Sequence, residues 1–149
     1  MNIRSGDYGE ANNKNLRLVI GLSRSNLKIE RATQSILPEY KITLPQFGVM
    51  EALYHLGDLK ICEIIEKTLS TSGNMTVVIR NLEKGSYISR YQSIEDKRAS
   101  VISLTEKGVR LIEKIFPVNL KITGTMFKYL TDTEKDELAK LLKKLNKVE

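Results

Sequence analysis

Residues 58–84, DLKICEIIEKTLSTSGNMTVVIRNLEK, contain two short amphipathic segments with helical periodicity. In the first segment the apolar positions are Ile61, Ile64 and Ile65. In the second segment they are Met75, Val78, Ile79 and Leu82. Only residues 69–71 separate the segments, and we expect the second helix to start at Thr71 or Ser72. The sequence therefore predicts two helices joined by a tight turn.

A β-hairpin is predicted directly after these helices. Residues 87–92 and 99–104 are rich in β-branched and aromatic side chains, which favour strands. The six residues between them, SIEDKR, are too polar to pack inside and indicate a charged hairpin tip.

Helices are predicted on both sides of this unit. A loose polar arm should precede a helix over residues 14–37, and a capping box at Thr43–Gln46 should begin a helix that stops at Gly57. After the hairpin, a helix should run from residue 104 to about residue 129, kinked at Pro117. A second capping box, 131–134, opens the last helix. The predicted fold class is therefore mostly α with a small β-ribbon, α+β overall.

Composition limits the possible functions. The 149 residues suit one domain (1–149), and 24 Lys and Arg against 18 Asp and Glu give a net charge of +6, which favours a polyanionic partner. Cys62 is the only cysteine, so no disulfide can form within the chain. The N-terminus lacks the apolar core of a signal peptide, and no apolar run is long enough to span a membrane. We therefore expect a cytoplasmic protein.

The outward face of the second helix suggests which polyanion the positively charged chain binds. Opposite its apolar positions the helix carries Ser72, Gly73, Thr76, Val77 and Arg80, with Asn74 near the edge. Short side chains let a helix sink into the major groove of double-stranded DNA, where hydroxyl, amide and guanidinium groups can contact bases or phosphates. The alternative for this segment alone is an ordinary polar surface helix.

Several ordered motifs resemble those of the MarR family of transcriptional regulators. They are TLPQFGVMEALYHL at 43–56, the 58–84 segment with its SGN-x-T-xx-I-xx-LEK run, EDKRASVISLTEKG at 95–108, FPVN at 116–119 and LTDTEKDELAKLLKKL at 130–145. The resemblance covers most of the chain beyond the first forty residues.

This resemblance implies a winged helix-turn-helix DNA-binding lobe over residues 40–105, with dimerisation helices at 14–37 and 106–147. It further implies a homodimer that binds a pseudo-palindromic operator, usually as a repressor. At the wing tip, beside Lys97, Arg98 would enter the minor groove while Asp96 holds its guanidinium. The alternatives are a surface salt bridge at the tip and a monomer that uses the apolar stripes as its own core.

Relatives in this family are often released from DNA by a small aromatic or phenolic effector. By resemblance, the residues that would line the effector pocket are Tyr40, Phe47, Met50 and Tyr54. Side chains of this kind at helical spacing are also what a plain apolar core requires.

The sequence departs from the family pattern at two places. Where members read LEK-x-G, this chain has Leu82-Glu83-Lys84-Gly85-Ser86, so the glycine comes one residue early. Either the helix ends sooner or Ser86 adopts a left-handed conformation. Val77 stands where many relatives carry a larger or charged residue, which affects the operator sequence.

Catalytic chemistry has little support in the sequence. His55 and Cys62 do not form a metal site or a hydrolytic triad by themselves, and no phosphate loop, dinucleotide motif or zinc spacing occurs. We therefore expect no cofactor and no enzyme. Two alternatives remain open: a thiol-based redox-sensing regulator that uses Cys62, and a winged-helix protein-interaction module without specific DNA binding.

Overall fold

The computed structural model describes residues 6, 8–68 and 72–147, which form six α-helices, one turn of 3-10 helix and a three-stranded sheet. The helices are α1 (Glu10–Ile36), α2 (Leu44–Leu56), α3 (Ile61–Thr68), α4 (Ser72–Lys84), α5 (Glu106–Met126) and α6 (Asp132–Leu145). The strands are β1 (Leu59–Lys60), β2 (Ile88–Gln92) and β3 (Ser100–Leu104). No helix within the described residues is both long enough and apolar enough to cross a membrane.

Side-chain caps fix the helix ends that the sequence predicted. The Thr43 hydroxyl accepts the Gln46 N–H at 3.3 Å, and the Gln46 side chain accepts the Thr43 N–H at 2.8 Å. Thr131 and Glu134 form the same reciprocal pair, whose hydrogen bonds lower the pKa of Glu134. Gly57 ends α2 with a φ of 82°, which only glycine adopts freely. Both capping boxes and the stop at Gly57 are confirmed.

Two helix boundaries differ from the prediction. The first helix begins at Glu10, four residues before the predicted start at residue 14, and an ion pair to Lys14 at 2.8 Å stabilises its first turn. Residues 1–5 and 7 of the predicted loose arm lie outside the described residues. The fifth helix ends at Met126 rather than near residue 129. It runs as one element through Pro117, and the kink expected there stays a prediction.

The sheet has one strand more than the predicted hairpin. Strand β2 pairs antiparallel with β3, from Ile88 opposite Leu104 to Gln92 opposite Ser100. On the other edge of β3, the two residues of β1 pair with Ile102 and Val101, so the order is β1-β3-β2. A two-residue strand is too short to show the alternation that identifies strands in a sequence.

The apolar core lies between α2, α4, the sheet and the first half of α5. Its fully buried large side chains are Leu37, Val49, Met50, Ile64, Met75, Ile79, Leu82, Ile102, Ile112 and Ile115. Among the described residues, α6 contributes no buried side chain and α1 contributes only Thr33, near its C-terminal end. The core therefore holds together the central lobe and the first half of α5, and it leaves α6 and most of α1 outside.

The turn between α4 and β2 shows how the chain accommodates the early position of Gly85. Helix α4 ends at Lys84, and Ser86 takes the left-handed conformation with a φ of 59°. The Ser86 N–H bonds to the Glu83 carbonyl at 2.9 Å and the Tyr87 N–H bonds to the Leu82 carbonyl at 3.0 Å, which is a Schellman motif. Of the two alternatives, the chain uses the strained serine.

Helix α5 packs closely against this turn at Gly108. A Cβ on Gly108 would lie 2.1 Å from the Tyr87 carbonyl oxygen, which is far inside van der Waals contact with a backbone atom. The Thr105 N–H also bonds to the same carbonyl at 3.0 Å, and the Thr105 hydroxyl donates to the Ser86 carbonyl at 2.6 Å. The start of α5 is thus held tightly to the end of α4.

Gly108→Ala should destabilise the protein by about 2 kcal/mol or more, because the Tyr87 carbonyl is backbone and cannot rotate away. Urea denaturation at one fixed protein concentration measures the change. Gly124→Ala in the same helix is the control, since a Cβ there meets nothing within 4 Å in the described residues and alanine favours helix. Equal stability of the two variants would contradict the close approach.

Candidate nucleic-acid interface

Helix α4 follows α3 as the second member of a helix-turn-helix. Its inner face is anchored by Met75, Ile79 and Leu82, each no more than 1% exposed. The segment 69–71 between the two helices lies outside the described residues, as does the predicted start at Thr71. The described helix begins at Ser72, whose side chain is likewise not described. With its inner face buried, α4 presents its opposite side outward.

Apart from Ser72, the contact residues that were predicted on α4 lie on that outward side. The exposed residues are Gly73, Asn74, Thr76, Val77 and Arg80. Val77 is 49% exposed, although it is apolar and the inner face of the same helix is buried. The face is therefore available to a partner as the sequence predicted.

Two further exposed residues extend this face toward the end of the helix. Asn81 follows Val77 by four positions, and Lys84 follows Arg80 by four positions, so they stand on the same side. The i, i+4 spacing would have found both residues. An amide and an ammonium at these positions can reach DNA bases or phosphates.

The wing consists of strands β2 and β3 and the loop 93–99 that joins them. This loop, the wing tip, is organised by its own hydrogen bonds. The Ser93 N–H bonds to the Ala99 carbonyl at 3.0 Å, and the Ala99 N–H bonds to the Asp96 carbonyl at 2.9 Å. The Gln92 side-chain amide donates to the Lys97 carbonyl at 2.5 Å. These bonds close the loop, while the side chains of Lys97 and Arg98 stay exposed.

Asp96 acts on Arg98 differently from the expectation. Its carboxylate accepts the backbone N–H of Arg98 at 3.0 Å. Within the described residues no ion pair joins this carboxylate to the Arg98 guanidinium. In the DNA-free protein Asp96 therefore shapes the turn, and the guanidinium extends into solvent.

Two side-chain contacts fasten strand β2 to the helices beside it. Arg90 donates Nε to Glu83 Oε1 and Nη2 to Glu83 Oε2, both at 3.0 Å. The Tyr91 hydroxyl donates to Asp58 Oδ2 at 2.7 Å, and this hydrogen bond raises the pKa of the Tyr91 phenol. The wing is thereby connected to α4 and to the loop that precedes β1.

A cavity of about 780 Å³ lies between the helix-turn-helix and the terminal helices. Its walls come from α1, α2, the end of α3, the start of α4 and the second half of α5. Four side chains bring ionisable groups to it: Glu30, Glu51, His55 and Lys67. Burial raises the pKa of Glu51, against a smaller opposite effect of His55.

The four predicted pocket residues are not gathered at this cavity. Phe47 lies on its wall, whereas Met50 is completely buried in the core. Tyr40 packs partly buried against the core, and Tyr54 is exposed. The polar residues of the wall come from segments far apart in the sequence, so no local pattern could have identified them.

Cys62 and His55 occupy separate positions. Cys62 is a free, exposed thiol in the first turn of α3. The His55 ring makes edge contacts with Tyr54 and with Phe116 of α5. In the described part of the chain, no three His, Cys, Asp or Glu side chains are grouped as metal ligands. The redox role of Cys62 stays a prediction.

Comparison with known proteins identifies the family of this chain. The model for the transcriptional regulators SarA and Rot matches residues 31–115, which is more than half of the chain. The HTH-type transcriptional regulator MhqR of Bacillus subtilis is 32% identical over 132 residues, covering 89% of this chain and 91% of MhqR.

Solved structures show the same fold. BpsR of Bordetella bronchiseptica, whose DNA binding is regulated by 6-hydroxynicotinic acid, superposes with a TM-score of 0.78 at 25% identity and covers 87% of this chain and 98% of BpsR. A MarR variant of E. coli in complex with operator DNA superposes with a TM-score of 0.79 at 24% identity, covering 92% of this chain and 99% of MarR.

The family match and the similarity to MhqR agree with the exposed helix and the wing beside it. The chain therefore belongs to the SarA/Rot family of transcriptional regulators, has the winged-helix fold of the MarR proteins, and is a DNA-binding regulator rather than an enzyme.

Proposed function

We propose that the protein is a homodimeric, sequence-specific repressor that acts in the cytoplasm on a pseudo-palindromic operator. The observation that carries this proposal is the exposed face of α4, whose short side chains stand beside a wing with an exposed arginine. A narrow helix of this kind fits the major groove, while a hairpin tip reaches the adjacent minor groove. Residues 40–105 would form this DNA-binding lobe.

The proposed base contacts lie along α4. Ser72, Asn74, Thr76 and Arg80 face the major groove, with Gly73 and Val77 allowing close approach and with Asn81 and Lys84 continuing the same face. At the wing, Arg98 enters the minor groove, and Asp96 and Lys97 form the turn that carries it. Net positive charge adds attraction for phosphates that does not depend on sequence.

Apolar side chains on the terminal helices support the homodimer. On α1, Leu16, Ile20 and Leu27 share one side, and Leu18, Leu22 and Ile29 share nearly the opposite side, all of them exposed in the single chain. A helix with apolar residues on two opposite sides gains free energy when both sides are covered by packing partners. A second copy can supply the missing layer through residues 14–37 and 106–147.

Helix α6 shows the same need for a partner. Leu138, Leu141 and Leu145 stand at helical spacing and are exposed, and within the described residues α6 contacts the other elements only sparsely. The carboxyl-terminal helix therefore has an apolar stripe that its own chain leaves open to water. In a two-fold dimer both recognition helices face half-sites about one DNA turn apart.

The cavity beside α4 supports release by a small aromatic or phenolic effector. Its volume of about 780 Å³ lies in the range of small-molecule sites. An occupant would touch Asn74 and Met75 of α4 together with Asn119 and Thr123 of α5. Phenolic hydroxyls can donate to Glu51, whose carboxylate is partly desolvated there.

Arg98→Ala should weaken operator binding about five-fold or more and lower the salt slope by about one, because one minor-groove cation is lost. Fluorescence anisotropy at several salt concentrations, on a duplex selected from a random pool, gives both values. Lys140→Ala removes the same charge from α6 and is the control. An unchanged affinity and an unchanged slope would count against the wing contact.

Leu141→Glu should convert the dimer to a monomer, because a carboxylate in an apolar stripe must be desolvated for the helices to associate. Operator affinity should then fall by about a hundredfold, since the two half-sites are no longer bound together. Sedimentation measures the mass. Lys140→Glu, about 100° around α6 from Leu141 and outside the apolar stripe, should remain dimeric. A dimeric Leu141→Glu protein would refute this interface.

Glu51→Gln should raise the thermal midpoint at pH 7 by about 2 °C. Burial raises the pKa of Glu51 in the folded protein, so the group favours folding below its unfolded pKa, and this contribution is lost as the pH rises through the raised value. Glutamine stays neutral throughout, so its advantage should vanish near pH 4, about the unperturbed carboxyl pKa. The exposed Glu113→Gln is the control, and an equal gain at both pH values would exclude ionisation as the cause.

A further inference from the structure

The ion pair between Glu83 and Arg90 joins the two elements that would meet DNA. Glu83 lies in the last turn of α4, three positions after Arg80, and Arg90 is the central residue of β2. Both oxygens of the carboxylate are engaged, with Nε–Oε1 and Nη2–Oε2 distances of 3.0 Å. A bidentate pair fixes relative orientation as well as distance.

A second contact holds the same strand from its other side. Successive residues of a strand point to opposite faces, and Tyr91 directly follows Arg90. Its hydroxyl donates to Asp58 at 2.7 Å, in the loop between α2 and β1. Strand β2 is therefore fastened to α4 on one face and to the loop between α2 and β1 on the other.

We propose that Glu83 and Arg90 are positioning residues that set the angle between α4 and the wing, so that Arg98 reaches the minor groove when α4 lies in the major groove. The inference rests on the proposed DNA-binding function. Neither residue needs to touch a base for this role.

The expected changes in stability and in DNA affinity distinguish this positioning role from a purely stabilising one. Partly exposed ion pairs contribute little to folding, so loss of the pair should hardly change the thermal midpoint. A carboxylate near phosphates also repels them, so its removal alone should strengthen binding to any DNA. Positioning predicts the opposite sign for the operator, and the two effects can be told apart.

Glu83→Gln tests the proposal on operator and on random duplex. We expect binding to random duplex to strengthen, while operator binding weakens by about three-fold to ten-fold. In the Glu83→Gln background, Arg98→Ala should also cost clearly less operator affinity than it costs in the parent, because a displaced wing has already lost that contact. A variant that only lowers the folded fraction would leave the cost of Arg98→Ala unchanged.

Glu106→Gln is the matched control, since it breaks the Arg110–Glu106 ion pair on α5 with the same change of charge. If Glu83→Gln and Glu106→Gln change operator affinity equally, or if the Arg98→Ala cost is the same in both backgrounds, the positioning role is overturned. Stronger operator binding by Glu83→Gln also overturns the positioning role, because it would show that Arg90 favours DNA binding more when it is not paired with Glu83.

Hydrogen exchange of the DNA-free protein decides the same question independently. Amides of β2 and β3 should exchange faster in Glu83→Gln than in Glu106→Gln, whereas amides of α2 should exchange equally. Equal exchange in the wing would overturn the proposal. If the parent protein selects no duplex from a random pool, the proposed DNA-binding function fails, and the exchange result still shows whether the ion pair holds the wing.

Discussion

The close contact between Gly108 and the Tyr87 carbonyl oxygen sets the arrangement of everything around it. At this point the end of α4, the start of β2 and the first turn of α5 meet, and a side chain of any size would separate them. The Thr105 N–H and hydroxyl complete the joint through bonds to Tyr87 and Ser86. The exposed helix therefore takes its direction from α5, the longest helix after α1.

Apolar burial and polar contacts have separate tasks in this lobe. Each fully buried side chain, such as Ile79 or Ile102, contributes about 1.5–3 kcal/mol, whereas a partly exposed ion pair contributes about 0–1 kcal/mol. The core therefore decides whether the lobe folds. The polar contacts of Arg90 and Tyr91 add little to that free energy, but they restrict the direction of a two-stranded ribbon whose tip has no core of its own.

Local chemistry explains which parts of the structure were predictable. The caps at Thr43 and Thr131, the stop at Gly57 and the pair of helices α3 and α4 all depend on residues close together in sequence. The exposed face of α4 follows from helical spacing alone. The β-branched and aromatic residues of 87–92 and 99–104 predicted the hairpin that forms the wing. The family resemblance added the roles of Asp96 and Arg98 at its tip.

The remaining features depend on contacts between distant residues. Strand β1 exists because β3 offers it an edge, and the cavity is assembled from α1, α2, α3, α4 and α5. Asp96 was expected to hold a guanidinium, but a short carboxylate two residues before an arginine reaches the backbone N–H first. Sequence could give the identity of these residues but not their partners.

The position of the cavity determines which end of α4 an occupant can influence. A ligand alters DNA affinity only if it binds one arrangement of the protein more tightly than another. Asn74 and Met75 at the start of α4 line the cavity, whereas the turn that contains Ser86 and Tyr87 does not. On the opposite wall, the Thr33 hydroxyl donates to Asn119 Oδ1 at 3.1 Å and links α1 to α5. The contact at Gly108 holds the C-terminal end of α4. An occupant of this cavity would therefore shift the N-terminal end of α4, where the helix enters the proposed DNA groove.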